Sequence, residues 1–177
     1  GQMYNIEQAL DQQILEYSGV RPTVIFTEPT DPRVLEALCQ LVRFVRPVLL
    51  ASEASVRAIA VKELRHLEDN SIEYALSECS FVMPSERVDL LEQFAEEFRQ
   101  YKASCNEPIS LGEARDFVSQ QGPFGVMAVR LGHADAVVGG AVHRPRQFYR
   151  PMVKLLCRSG FCSEAGVFIL PDSHPAN

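Results

Sequence analysis

The sequence lacks the features that mark several large classes of protein. Its formal net charge is −6 over 177 residues, so it has no excess of positive charge from which a nucleic-acid-binding face could be built. No apolar run approaches the roughly 20 residues of a membrane helix. Residues 1–8 show no basic region followed by an apolar core, as a secretory signal would. We therefore predict a cytoplasmic protein with neither nucleic acid nor membrane among its partners.

Cysteine is also scarce, and its spacing is irregular. The five cysteines are Cys39, Cys79, Cys105, Cys157 and Cys162. An odd number at scattered positions does not favour a disulfide framework. Cys157 and Cys162 lack a second close pair that would complete four zinc ligands. We expect buried, reduced thiols, no metal site and no metal cofactor.

What the sequence does contain is a repeated alternation of short apolar runs and amphipathic segments, with 46% hydrophobic residues overall. This alternation predicts a single α/β domain over residues 1–177, a three-layer α/β/α sandwich with a mainly parallel sheet. The predicted strands are 23–26, 47–51, 80–83, 134–140 and 167–170. The predicted helices are 5–17, from 32, from 52 towards 67, 85–102, from 110 with a break at 122–123, 124–131 and 149–158. Val88, Leu91, Phe94, Phe98 and Tyr101 form the predicted apolar stripe of 85–102.

Two turns follow predicted strands and precede predicted helices, at residues 27–33 and 139–150. Ligands of parallel sheets bind beyond the carboxyl ends of the strands, which is where both turns lie. Each turn carries arginine, so we expect an anion site there, formed with help from a helix N-terminus. Neither turn has the glycine and lysine spacing of a Walker loop or a dinucleotide fingerprint. The candidate binding residues in these turns are Glu28, Arg33, Gly139, Gly140, His143 and Arg150.

Simpler roles remain open for several polar residues in these turns. Arg144 and Arg146 fit surface charge, and Asp31 fits the N-cap of the helix that starts at 32. Glu28 could be a turn residue and nothing more. His143 could bind substrate or be a structural histidine that bonds to the backbone.

Three segments resemble the N-terminal half of phosphate acetyltransferases and the related phosphate butyryltransferases. The first is Val24-Ile-Phe-Thr-Glu-Pro-Thr-Asp-Pro-Arg-Val-Leu35. The second comprises Glu97-Phe-Arg-Gln-Tyr-Lys102 and Ile109-Ser-Leu-Gly-Glu-Ala114. The third and closest runs from Leu131-Gly-His-Ala-Asp135 through His143 and Arg150-Pro151 to Val167-Phe-Ile169. The likeness spans residues 21–172.

This resemblance implies a fold like that of isocitrate and isopropylmalate dehydrogenases, and a reaction that joins phosphate to the acyl group of an acyl-CoA. It implies no cofactor, because CoA is a substrate. The expected partners are CoA, acyl-CoA or acyl phosphate, and inorganic phosphate. By resemblance, Arg33, Arg99 and Arg150 contact CoA or phosphate, although Arg99 alone also fits a solvated surface residue. The family is generally dimeric, which makes a homodimer a further partner to test.

The sequence departs from the family pattern in places. Gly139 replaces a serine, Thr27 replaces a proline, and bulky residues at 144–146 replace hydroxyl residues. The family's proposed catalytic aspartate and serine lie in its other half, so we expect a partial form that has no catalytic residue of its own. The alternative is a non-catalytic domain that binds CoA or acyl phosphate and regulates another enzyme, like those appended to malic enzymes.

Overall fold

The computed structural model describes residues 20–139 and the backbone of residues 167–169. The strands are β1 (Thr23–Phe26), β2 (Arg46–Leu49), β3 (Ser80–Phe81), β4 (Ala136–Gly139) and β5 (Val167–Ile169). The α-helices are α1 (Pro32–Leu41), α2 (Glu53–Glu63), α3 (Asp69–Ser77), α4 (Val88–Ser104), α5 (Leu111–Val118) and α6 (Gln121–Arg130), and a 3₁₀ turn spans Pro84–Glu86. The helices predicted over 5–17 and 149–158 lie outside the described residues.

The described strands form one parallel sheet in the order β3-β2-β1-β4-β5. β1 lies in the middle, and Phe26 is paired with Leu49 of β2 on one side and with Val138 of β4 on the other. The predicted α/β fold with a mainly parallel sheet is confirmed. The expected likeness to the fold of isocitrate and isopropylmalate dehydrogenases stays a prediction.

The two faces of the sheet are covered by different helices, as a three-layer sandwich requires. Strand side chains alternate between the faces. Val24 and Phe26 pack in one core with the buried residues of α1, α2 and α3. Ile25 and Val137 pack in a second core with those of α4, α5 and α6. Phe94 and Phe98 belong to this second core, as the sequence predicts.

Some predicted boundaries are wrong. The helix that Ser52 caps ends at Glu63 and does not reach residue 67, and the separate helix α3 was not predicted. The helix expected from Ser85 begins as a 3₁₀ turn and becomes an α-helix at Val88. Val88 is 63% exposed, because the packed part of α4 begins at Leu90 and Leu91.

The capping box predicted at Ser110 is present and begins α5. The expected break near residue 122 falls slightly earlier, because α5 ends at Val118 and α6 starts at Gln121. Pro123 then lies in the first turn of α6, where its missing N–H leaves no helical hydrogen bond unmade. No helix among the described residues is long and apolar enough to cross a membrane.

Helix α6 lies close against β1 and β4 because Gly125 has no side chain. A Cβ built at Gly125 would lie 2.9 Å from Cγ2 of Thr27, 2.9 Å from Cγ2 of Val137 and 3.3 Å from Cγ2 of Ile25. All three neighbours are β-branched and stiff at χ1, so they cannot rotate away at low cost. The approach of α6 to the sheet therefore depends on glycine at this position.

We expect Gly125→Ala to lower the free energy of unfolding by about 1–3 kcal/mol, as overpacking of a well-packed core does. Gly112→Ala in α5 is the matched control, because its new Cβ would lie 3.8 Å from Oγ of Ser110. The gain in helix propensity should make Gly112→Ala neutral or stabilising by up to about 1 kcal/mol. Urea denaturation of both variants measures the difference. Equal stability of the two variants would contradict the close packing of α6.

Candidate functional site

The order of the strands predicts a ligand-binding crevice at the carboxyl ends of β1 and β4. From β1 the chain crosses to β2 on one side, whereas β4 lies on the other side and leads outward to β5. At such a reversal the neighbouring connections diverge, and ligands of α/β sheets bind in the gap that this leaves. The segments that border the gap are residues 27–31, which follow β1, and Gly139, which ends β4.

Thr27 is the first residue after β1 and is only 2% exposed. Its backbone N–H donates to the carbonyl oxygen of Val138 at 3.0 Å, and its hydroxyl donates to the same oxygen at 3.2 Å. Its methyl group faces Gly125 of α6. Thr27 therefore connects the turn after β1 to the end of β4 and to the helix beneath them.

The turn after Thr27 is closed by a hydrogen bond and leads directly into α1. The carbonyl oxygen of Glu28 accepts from the N–H of Asp31 at 3.2 Å. Asp31 is the N-cap of α1, and its carboxylate accepts from the N–H of Arg33 at 2.9 Å. The capping role predicted for Asp31 is confirmed. Glu28 is 9% exposed, so this turn carries a nearly buried carboxyl group.

Arg33 is held against Asp31 through two parallel hydrogen bonds. Its Nε donates to Oδ1 at 3.1 Å and its Nη2 donates to Oδ2 at 2.8 Å. This hydrogen bonding lowers the pKa of the Asp31 carboxyl group, against the opposing effect of burial, so the pair is ionised at neutral pH. The Asp31 side chain is 8% exposed and that of Arg33 is 42% exposed. The carboxylate therefore fixes the guanidinium where it still reaches solvent.

Arg99 lies in a different part of the molecule. It belongs to α4, which covers the opposite face of the sheet from α1. Arg99 is 11 residues beyond the start of α4, or about 16 Å along the helix axis from the end that follows β3. The neighbouring Glu97 pairs with Arg130, which is at the end of α6 that leads into β4. Arg99 is thus nearer the amino edge of the sheet than the carboxyl edge.

Arg99 also has an ion-pair partner on its own helix. Its Nε donates to Oε2 of Glu96 at 3.0 Å, and its Nη2 donates to Oε1 at 2.6 Å. These hydrogen bonds are the main reason that the pKa of Glu96 falls to about 2. The structure brings Glu28, Arg33 and Gly139 to one edge and does not bring Arg99 there. Gly140, His143 and Arg150, together with Arg144 and Arg146, lie outside the described residues.

The contribution of Thr27 and Gly125 to this edge was not predicted. Thr27 follows directly after an apolar strand, and Gly125 interrupts an otherwise apolar helix, which is a known sign of close packing. Neither feature of the sequence predicts which residue Thr27 or Gly125 contacts, because the contacts join segments about a hundred residues apart.

The described cysteines Cys39, Cys79 and Cys105 are not joined in disulfides, but each is only partly buried, so the expectation of buried thiols is wrong for these three. Burial raises the pKa of Cys79 to about 12, and it also raises the pKa of Cys39. Both side chains pack against the core between the sheet and α1–α3. They remain protonated at neutral pH, so these two thiols are weak nucleophiles.

Comparison with known proteins finds phosphate acetyltransferases that are similar to this chain. A family described as phosphate acetyl/butaryl transferase matches residues 9–176. A phosphate acetyltransferase of Synechocystis is 27% identical over 172 residues, which are 95% of this chain and 22% of that protein. One of Staphylococcus aureus is 26% identical over 159 residues, which are 86% of this chain and 44% of that protein.

The solved structures agree with the sequence relatives. The EutD phosphotransacetylase of Staphylococcus aureus superposes with a TM-score of 0.63 and 25% identity, over 85% of this chain and 42% of that one. A phosphotransacetylase of Streptococcus pyogenes gives a TM-score of 0.58 and 26% identity, over 81% and 41%. The chain therefore spans less than half the length of these relatives.

We expect Asp31→Ala to lower the free energy of unfolding by about 1 kcal/mol, because it removes both the cap and the partner of Arg33. Asp31→Asn should cost less, since asparagine is an equally good N-cap. The lowered pKa means that the stabilising effect of the ionised Asp31 is complete above pH 3.8 and is lost as the pH falls below it. Thermal unfolding between pH 2.5 and 7 should show that the difference in Tm between wild type and Asp31→Asn becomes smaller in acid. A difference in Tm that does not depend on pH would contradict the ion pair.

Proposed function

Because the chain belongs to the phosphate acetyl/butaryl transferase family, we propose that it forms part of a phosphate acyltransferase. The reaction is acyl-CoA plus phosphate in equilibrium with acyl phosphate plus CoA. The family match over residues 9–176 supports this activity most directly. The proposed partners are CoA, an acyl-CoA or acyl phosphate, and inorganic phosphate. We also propose a cytoplasmic location, which the odd number and irregular spacing of the five cysteines favour.

The chemistry has two requirements that a protein site must meet. When the sulfur of CoA attacks the acyl phosphate, the S–C bond forms, the C–O bond to phosphate breaks, and phosphate leaves with both bonding electrons. A base takes the thiol proton. Throughout, cationic and N–H donors must hold the phosphate and the oxyanion that develops on the carbonyl. We propose that this chain supplies the donors that hold the phosphate and the oxyanion. It supplies no catalytic base in this proposal.

We place the phosphate-binding part of the site in the crevice between β1 and β4. Two observations support a role for Arg33 in this part of the site: Arg33 lies at the start of α1, and the Asp31 carboxylate orients its guanidinium. A guanidinium held in this way can grip a phosphate oxygen pair with little loss of side-chain freedom. Glu28 and Gly139 border the same edge. By family resemblance, Gly140, His143 and Arg150 complete the site.

The direct test of the activity is an exchange assay with the full-length protein. We expect acetyl phosphate plus CoA to yield acetyl-CoA and inorganic phosphate, measured by absorbance of the thioester and by release of phosphate. Butyryl phosphate in a parallel reaction reports the acyl preference. Folded protein that binds CoA in calorimetry without any turnover would refute the enzyme and favour the regulatory domain. Absence of CoA binding would refute both.

A comparison of arginines tests where the anion binds. We expect Arg33→Gln to lower kcat/KM for phosphate about tenfold or more, as the loss of a charge-assisted hydrogen bond does. Arg87→Gln is the matched control. Arg87 forms a similar fork with a carboxylate two residues away, Asp89, at 3.1 and 3.0 Å, and it is 44% exposed.

The control should keep the kinetics of the wild type, so equal loss in both variants would contradict the assignment of Arg33. Arg150→Ala should reduce kcat/KM more than Asp31→Ala does, because the first removes a guanidinium that we assign to the anion, whereas the second leaves Arg33 in place without its orienting carboxylate. Arg99→Gln separates the two readings of Arg99. A rise in the KM for CoA would support ligand contact, and unchanged kinetics would support a structural ion pair with Glu96.

A further inference from the structure

We propose that Thr27 is a positioning residue, whose hydroxyl and backbone N–H fix the distance between the turn after β1 and the end of β4. This inference deepens the proposed function and rests on it. Thr27 would not touch substrate. It would set the width of the crevice in which the phosphate group binds.

The hydrogen bonds of Thr27 join the two segments that border the expected crevice. Phe26 pairs with Val138 in the sheet, so Thr27 stands one step beyond the last paired residue of β1. Both of its donors converge on the carbonyl oxygen of Val138, at 3.0 and 3.2 Å. The next residue of β4 is Gly139, which borders the crevice. A single residue, through its backbone N–H and its hydroxyl, thus joins these two segments.

The orientation of the hydroxyl is fixed by packing. A threonine side chain has few accessible χ1 rotamers. Its Cγ2 is 2.9 Å from the position that a Cβ on Gly125 would take, so the methyl group fills the space that the glycine leaves. With the methyl group directed at α6, the hydroxyl is directed at β4. Thr27 is only 2% exposed, so water has little access to compete for that hydrogen bond.

A displacement of Thr27 would pass to the arginine that we assign to the anion. The turn continues from Glu28, whose carbonyl accepts from Asp31, and Asp31 holds the guanidinium of Arg33. Binding groups must stay within about 0.5 Å of their productive geometry. A misplacement of about 1 Å can cost up to roughly a hundredfold in rate. The position of Thr27 is therefore expected to affect phosphate binding without any direct contact.

Two substitutions at Thr27 separate its hydrogen bond from its packing. Thr27→Val keeps the shape and the backbone N–H and removes the hydroxyl, whereas Thr27→Ser keeps the hydroxyl and removes the methyl group against Gly125. Thr23→Val makes the same chemical change at the opposite end of β1 and is the control. In the full-length protein, kcat, KM for inorganic phosphate and Tm are measured for each variant.

We expect Thr27→Val to raise the KM for phosphate about tenfold, with kcat within about twofold of wild type and little change in Tm. Thr27→Ser should lower Tm and raise the KM less than Thr27→Val does, because the hydroxyl is kept but is no longer oriented by the methyl group, and Thr23→Val should keep the KM. A Thr27→Val enzyme with wild-type KM would overturn the proposal. A loss of kcat in both Thr27 variants that is proportional to their loss of Tm would also overturn the proposal, because this result indicates a structural role.

If the wild type shows no turnover, the proposed enzyme fails, and the role of Thr27 is decided by calorimetric titration with inorganic phosphate. Binding that is about tenfold weaker in Thr27→Val than in wild type would still support a positioning role. Equal affinity, or no binding by the wild type, would refute it.

Discussion

The pairing of β1 with β4 is the interaction on which the candidate site depends. It places the middle strand of the sheet beside a strand that is distant in sequence, and it creates the reversal of strand order at which ligands of α/β sheets bind. The sheet pairing ends at Phe26 and Val138, and Thr27 extends the attachment by one residue with two donors to one acceptor. This attachment continues the β1–β4 pairing into the first residue of the turn that leads to α1.

In the turn after β1, Asp31 has two opposite effects on the ability of Arg33 to bind an anion. Asp31 offsets part of the positive charge of Arg33, which weakens the long-range attraction of an anion. The same carboxylate immobilises the guanidinium, so less side-chain entropy is lost when a ligand binds. For the phosphate that we propose as ligand, the fixed orientation of the guanidinium offsets part of the weaker attraction. The structure is consistent with this balance, because the carboxylate is buried and the guanidinium remains partly exposed.

Local features of the chain were sufficient to predict much of the fold. The β-branched run at β1, the Asp31-Pro32 start of α1 and the capping box of α5 all act within a few residues, and all three were predicted correctly. Helix α3 was missed because it is short and buries only Ala75 and Leu76. The layer and the edge on which Arg99 lies could not be predicted, since helical periodicity does not specify the direction in which a helix crosses the sheet. The contacts of Thr27 depend on a partner 111 residues away.

That separation also determines when the site can form during protein synthesis. β1 can pair with β2 once residue 49 has left the ribosome, but its other edge has no partner until β4 follows. At about 5–20 residues per second, translation from residue 50 to 139 takes roughly 5–20 seconds. Closure of so long a loop costs about 4 kcal/mol of chain entropy. Throughout that interval the nascent chain carries a parallel strand with an open edge, to which another unfolded chain can add.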